Sequence, residues 1–373
     1  MKQHEEVFFS ILRSALWKHP VQIPEGFKEW NKVMKLAVDQ AIQGLVGDVI
    51  LTTPDLLNCF PAKAVEKLQD IPLNSMAMHT TLNNTLILVM KTLRAAGIEP
   101  VLLKGQGLAQ YYPVPQLRQC GDIDLYVGAE NYEKAYEALL PIATEIEDRI
   151  KIWDYLHFHV HVGSVLLEIH HKVERASTRF SEKILRKYTD VGLTEDLNRV
   201  KVGEVEVNTP SVNYNACYIF YHLWRHYLDA GVGLRQICDL GCYLHSMKDR
   251  LDLNYLRSFL CDMNLMIPWQ TFGCVLVDKL GMPKESFPFY DEKALKRSEK
   301  LLDIILQEGN FGKTTAFVRL HTNSYLYEKF FSLKCHIERF VKMLSLFPRH
   351  SFMQIIFKFR IGLKQVFKDI KSN

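Results

Sequence analysis

The segment Val101–Val127, VLLKGQGLAQYYPVPQLRQCGDIDLYV, holds the residues best placed to do chemistry. Asp122 and Asp124 are two apart on an expected strand. Residues i and i+2 of a strand point to one face, so the two carboxylates project side by side. Adjacent carboxylates repel unless a cation sits between them. A hard divalent ion, Mg²⁺ or Mn²⁺, suits them, because it takes oxygen ligands and is commonly held by one or two carboxylates plus substrate phosphates. Gly105 stands where a strand hands over to a helix, and without a side chain it lets phosphate approach the backbone N–H groups. Lys104 and Arg118 could each neutralise phosphate charge, Arg118 through a bidentate fork. Together these residues describe an in-line displacement at phosphorus, with two metal ions clamping the attacking and leaving oxygens.

Each member has a plainer explanation. A lone Asp-x-Asp is common at strand ends and turns, Lys104 could be an exposed strand-end lysine, and Arg118 could pair with a surface acid. The combination is more specific than its parts. Gly107 makes Gly-x-Gly with Gly105, but no third glycine completes a dinucleotide fingerprint.

The chemistry also wants a third carboxylate, as metal ligand or as base for an acceptor hydroxyl. Glu168 is the candidate, because it interrupts the apolar run Val165-Leu166-Leu167-Glu168-Ile169-His170, where an unpartnered carboxylate is costly to bury. Glu204 and Glu206, on a weaker strand signal, are the reserves. His157, His159 and His161 share one strand face and could form a metal site, but we favour a wet-face reading of them. His222 and His226 are four apart on an expected helix, with Leu223 where a zinc protease would carry its Glu, which excludes that activity. These two, with His170 and Arg235, are candidates for the acceptor side. Arg235 and Asp239, also four apart, read by default as a structural ion pair.

The elements that must position these residues follow from hydrophobic period. Glu5–Trp17, Glu29–Leu45, Ala64–Leu68 and Ser75–Ala96 carry apolar residues at helical spacing, with Gly97 as C-cap and prolines punctuating the gaps. Val101–Leu103 reads as a buried strand, Gln106–Tyr112 as a short helix, Asp122–Val127 as a strand and Asn131–Leu140 as a helix. His157–Val162 alternates strictly, Gly163-Ser164 supplies a turn and Val165–His171 returns, the clearest hairpin in the chain. Val191–Thr194 and Val200–Val207 suggest a further strand pair. Tyr214–Tyr227, Leu234–Lys248, Leu253–Met263 and Lys293–Leu306 are helical by period. The expected division is a helical region over 1–95, an α/β core over 96–208 and a second helical region over 209–373.

Leu103-Lys104-Gly105, Tyr111-Tyr112-Pro113, Arg118 and Gly121-Asp122-Ile123-Asp124-Leu125 resemble a bacterial group of uncharacterised nucleotidyltransferases within the DNA polymerase β-type superfamily. Val165–His171 resembles that group's downstream strand, a carboxylate followed by Ile/Leu-His. His222, His226, Gly233, Arg235 and Asp239 resemble a later helical segment. The resemblance implies an α+β fold with a polymerase β-like core, a small mixed sheet with helices. It also implies transfer of a nucleoside monophosphate from an NTP such as ATP, with two divalent ions. On that reading Asp122, Asp124 and Glu168 are catalytic and hold metal, while Lys104, Gly105, Gln106 and Arg118 meet the nucleotide. The superfamily usually has Ser where Gln106 stands, which leaves the mode of phosphate binding open. The acceptor is open too: a small metabolite or sugar, a peptide or protein, or an RNA end. The rivals are a nucleotide sensor that does no chemistry and a toxin-like enzyme acting on tRNA.

Composition bounds the remainder. The 373 residues are 48% hydrophobic and 24% charged, so a large core is available and general disorder is excluded. Net charge is +4, too mild to argue for nucleic acid. From Lys329 onward, however, ten Lys/Arg stand against Glu338 and Asp369 among many phenylalanines. We read this end as amphipathic helix with a solvated basic face, the alternative being a surface for phosphate, acidic lipid or RNA. The eight cysteines are scattered without a CxxC pair. Cys238 and Cys242 are four apart, but no second half of a metal site follows, so packing thiols in a reducing compartment are expected. The opening stretch reads as an amphipathic helix, not a signal peptide, and no apolar run is long enough to span a bilayer. These features point to a cytoplasmic protein.

Overall fold

The computed structural model describes residues 1–310, 334 and 337–358. The chain opens with helices α1 (Gln3–Trp17), α2 (Trp30–Asp39), α3 (Gln43–Thr52), α4 (Pro54–Leu57) and α5 (Ala62–Ala95). Next come β1 (Val101–Leu102), α6 (Gln106–Ala109), β2 (Asp122–Tyr126), α7 (Tyr132–Leu139), β3 (Glu145–Ile146), β4 (His157–Val162) and β5 (Val165–His170). After α8 (Arg179–Gly192) the strands β6 (Asn198–Val202) and β7 (Val205–Thr209) complete the sheet. Helices α9 (Val212–Asp229), α10 (Leu234–Met247), α11 (Leu253–Asp262), α12 (Met266–Cys274) and α13 (Leu295–Glu308) follow. The protein is α+β, and the strands form one mixed sheet of order β3-β4-β5-β2-β1-β7-β6.

The two faces of this sheet explain its register. Ile123 and Leu125 of β2, Leu167 and Ile169 of β5, and Phe158 and Val160 of β4 are fully buried against Leu86, Val89, Met90 and Leu93 of α5 and Tyr132 and Leu139 of α7. Each such side chain contributes roughly 1.5–3 kcal/mol when removed from water. The alternate residues face the other way. Side-chain period in a strand is two, so a slip of one residue would drive Asp124 into the apolar layer and is excluded by its cost. Burial of one face thereby fixes what stands on the other. β2 and β5 run parallel with Asp122 opposite Leu166, Asp124 opposite Glu168 and Tyr126 opposite His170. β4 and β5 are the expected hairpin, pairing His157 with His170 and His159 with Glu168.

A second apolar core joins the two ends of the chain, α1–α3 packing with α9–α13. Polar contacts pin the same junction: Arg13 Nη1 donates to Lys279 O at 3.1 Å and Trp17 Nε1 to Leu280 O at 2.8 Å. Cys238 and Cys242 are buried packing thiols in it. Among the described residues no single helix is long and apolar enough to cross a membrane.

Several expectations change. Glu29–Leu45 is two helices, broken at Gln40-Ala41-Ile42, where Ala41 has φ +55°. Tertiary hydrogen bonds hold the break: Gln40 Nε2 donates to Ile305 O at 3.1 Å, and its Oε1 accepts from Leu234 N at 2.9 Å. Conversely, Ala64–Leu68 and Ser75–Ala96 are parts of one helix, α5, with Pro72 inside it. Gly97, φ +68°, follows its C-terminus, with Ile98 N donating to Leu93 O at 2.9 Å, as a helix-terminating glycine should. Gln106–Tyr112 contracts to a single turn. Val191–Thr194 is not a strand: it lies at the C-terminal end of α8, and β6 and β7 pair with each other instead. Thr178 caps the start of α8, its side chain accepting from Ser181 N at 3.0 Å. The basic C-terminal end falls partly outside the described residues, Lys329, Lys364, Lys368 and Lys371 among them.

Candidate active site

The polar face of β4, β5 and β2 forms one wall of a cavity of about 620 Å³. Asp122, Asp124, Glu168, His157 and His170 line it from the sheet, and Lys104 and Gly105 line it from the turn after β1. The opposite wall is α9 with the segment after β5: His222, Arg225 and His226 face Val173, Glu174 and Arg175. Gln354, Phe357 and Lys358 also line the cavity, so three residues of the basic C-terminal stretch border it. The volume is that of a typical ligand pocket.

Gly105 makes its turn with φ +53°, and a Cβ there would lie 3.3 Å from Asp122 O. Both the left-handed backbone and the close approach to β2 favour glycine. The turn brings Lys104 over the carboxylates, and Lys104 Nζ is 3.0 Å from Asp124 Oδ1. His170 Nε2 lies 3.2 Å from Asp124 Oδ1 and 3.4 Å from Glu168 Oε2, bridging the two strands. The structure thus sets Glu168 beside Asp124 across a parallel pair, while Glu204 and Glu206 lie away at the β6–β7 end.

The electrostatics follow from crowding. Asp124 is only 2% exposed, and burial would raise its pKa, but Lys104 and His170 outweigh this and hold it well below the usual carboxylate range. Glu168 shows the same balance, with burial opposed by the His170 hydrogen bond. Asp122 goes the other way: burial and the neighbouring Asp124 charge push it up. Burial lowers Lys104, but Asp124, Asp122 and Glu168 together raise it. Three carboxylates thus crowd around Lys104 and His170, and the Lys104 and Arg235 charges do not offset the burial and repulsion that raise Asp122. That oxygen-rich, under-neutralised set fits a hard divalent ion.

The residues expected at the nucleotide divide. Lys104 and Gly105 face the cavity. The Gln106 side chain is buried and turned toward α5, donating to Asn83 Oδ1. Arg118 reaches the cavity edge, but its Nε and Nη2 take the two Asp239 oxygens at 2.7 and 2.8 Å. Tyr112 Oη donates to the same carboxylate at 2.7 Å. The ion-pair partner of Asp239 is therefore Arg118, not the Arg235 that helical spacing suggested. Arg235 donates to Gln119 O at 2.8 Å and lines the cavity.

His222 and His226 stack edge to face, ring centroids 4.3 Å apart, on the cavity side of α9. Burial, then the Lys104 charge, holds His222 well below its usual pKa. Burial and the neighbouring His222 push His226 down to about 3. The neutral tautomer of His222 is fixed by its partners: Nδ1 donates to Glu174 Oε1 at 2.7 Å, and Nε2 accepts from Lys104 Nζ at 3.3 Å. Glu174 also pairs with Arg225 at 2.6 Å. The chain Glu174–His222–Lys104–Asp124 therefore orients the lysine. Glu174 was not singled out from the sequence. Its only signal there was an acid six residues after Glu168, in a segment without periodicity.

A family model described as uncharacterised nucleotidyltransferase matches residues 27–266, more than half of the chain, including the whole sheet and α9. The chain belongs to this nucleotidyltransferase family. No curated protein and no solved structure matches it. Family membership supports nucleotidyl transfer as the general activity and a nucleotide as substrate.

Proposed function

We propose that the chain is a divalent-metal-dependent nucleotidyltransferase with a polymerase β-like core, moving a nucleoside monophosphate from an NTP, ATP among the candidates, to a hydroxyl-bearing acceptor. The observation that carries this reading is the convergence of Asp122, Asp124 and Glu168 beside Lys104 and Gly105 on one cavity wall. The acceptor oxygen forms a bond to the α-phosphorus, the bond to the pyrophosphate oxygen breaks, and the acceptor proton leaves to a base.

Asp122, Asp124 and Glu168 would hold Mg²⁺ or Mn²⁺, which when bound neutralises phosphate charge and sharpens the acceptor oxygen as a nucleophile. The protein supplies the rest. Lys104, steadied by His222 and Glu174, offers its ammonium to the phosphates, and the bare backbone at Gly105 admits them close to β2. Glu168, at the edge of the carboxylate set, is placed to take the acceptor proton. Arg118 acts indirectly, clamping the loop before β2 to Asp239 on α10. His226, Arg225, Arg235 and Lys358 line the end left for the acceptor.

The test is incubation of the full chain with each α-labelled NTP and fractionated cell extract, followed by mass spectrometry. Metal-dependent labelling of one fraction, lost with chelator and in Asp124→Asn, is the expected result. Saturable NTP binding with no transfer to any fraction would favour the sensor reading, and labelling confined to the RNA fraction would favour the tRNA reading.

A further inference from the structure

Beyond the three carboxylates, the same wall carries a second donor set of different chemistry. His157 on β4 and Glu168 and His170 on β5 offer one ligand atom each, all within 4.8 Å of one another. We infer that these three residues form a site for a first-row transition ion of the Zn²⁺ or Co²⁺ class, differing in ligand chemistry from the oxygen site of Asp122, Asp124 and Glu168 and sharing Glu168 with it.

The argument is geometric. The β4–β5 register places His157 directly opposite His170, with Glu168 one position along on the same face. The two imidazole rings converge, centroids 4.7 Å apart. His157 Nδ1 and His170 Nε2 stand 3.7 and 3.4 Å from the same oxygen, Glu168 Oε2. Zn–N and Zn–O bonds near 2.0–2.2 Å set neighbouring ligand atoms of a tetrahedral ion about 3.4 Å apart. The two nitrogen-to-carboxylate separations are close to that spacing, and the 3.7 Å of His157 is too long for a hydrogen bond. His157 Nδ1 is buried and has no hydrogen-bond partner among the described residues, so a ligand atom beside Glu168 is left unsatisfied. His159 Nε2, 3.7 Å from Glu168 Oε1, stands at the open side.

Two imidazoles with one carboxylate select for borderline transition ions over Mg²⁺, which prefers an all-oxygen shell. The cavity supplies the entry path, since all three residues line it. His170 Nε2 also lies 3.2 Å from Asp124 Oδ1, so an ion there would replace the proton that His170 shares with Asp124 and Glu168. The wet-face expectation holds for His159, which is exposed, while His161 is half-buried and the half-buried His157 ring is drawn in against Glu168 and His170.

The inference is tested without nucleotide, so its failure is separable from failure of the transfer reaction. The full chain, stripped with chelator, is titrated with Co²⁺ and followed by visible absorption, then challenged with Zn²⁺. One Co²⁺ per chain with the intense bands of a low-coordinate, nitrogen-ligated ion, displaced by Zn²⁺, is expected. His157→Ala should abolish the bands and weaken Zn²⁺ binding by at least about tenfold, whereas His161→Ala on the same strand face should keep both. No Co²⁺ spectrum in the wild type, an unchanged spectrum in His157→Ala, or equal loss in His161→Ala would each overturn the site. Zinc X-ray absorption on the wild type checks it without a variant: imidazole scattering supports the assignment, and an oxygen-only shell refutes it.

Discussion

Asp122→Asn should do two opposite things to this protein. In the metal-free chain Asp122 sits beside Asp124, and burial and that neighbouring charge raise its pKa. A carboxyl whose folded pKa lies above its unfolded value is destabilising once ionised, so at neutral pH this group works against the fold, and the strain is relieved as pH falls. Asn keeps the shape and removes the charge. Relief of a destabilised functional site commonly yields about 0.5–2 kcal/mol. At roughly 2–4 °C per kcal/mol, the melting point in chelator should rise by a few degrees. Divalent metal should reverse the order. An ion at a hundred times its Kd stabilises the native state by about 2.7 kcal/mol, and Asp122→Asn forfeits most of that gain. Thermal melts of both proteins in chelator and across a Mg²⁺ series, run beside the labelled-NTP assay, give the readout. A variant less stable than wild type in chelator, or one with a wild-type Mg²⁺ shift and wild-type turnover, would refute the reasoning.

Other outcomes follow from the same geometry. Glu168→Gln should cut turnover by about 10²-fold or more, with Glu206→Gln, exposed on β7, near wild type in the same assay. Arg118→Met strands the buried Asp239 carboxylate and should cost about 3–5 kcal/mol in urea unfolding, whereas an Arg118 serving only phosphate would leave stability untouched. Burial would raise Asp239, but Arg118 outweighs it and lowers its pKa, so its stabilisation is present above the ordinary Asp value and is lost as pH falls through the depressed one. Urea midpoints measured from neutral to acid pH should accordingly fall on the acid limb in wild type and flatten there in Asp239→Asn. Gly105→Ala forces a side chain into φ +53° and against Asp122 O; it should lose transfer with a stability change of about 1–2 kcal/mol, and full activity would remove Gly105 from the site.

Features that depend on short-range periodicity are legible in the residues alone. Asp-Ile-Asp on a strand places two carboxylates on one face whatever surrounds them. The strict alternation of His157–Val162, the Gly163-Ser164 turn and the return strand define a hairpin, and Glu168 interrupting apolar neighbours marks the face that must stay polar. Gly105 is legible for the same reason, since a positive φ is a property of one residue. Tertiary structure decided everything that depends on partners distant in the chain. Asp239 took Arg118, 121 residues away, over Arg235 one helical turn away, because a buried planar fork meeting both carboxylate oxygens is favoured over a pair left partly solvated. Helix α2 stops at Gln40 because its side chain serves the backbone of α10 and α13, and α5 runs through Pro72 although a proline ordinarily marks a break. Glu174 became part of the site only when α9 laid His222 and Arg225 over it. A carboxylate's neighbours, and hence whether it is a ligand, a base or a strut, are set by which elements pack together, and local sequence carries no record of that choice.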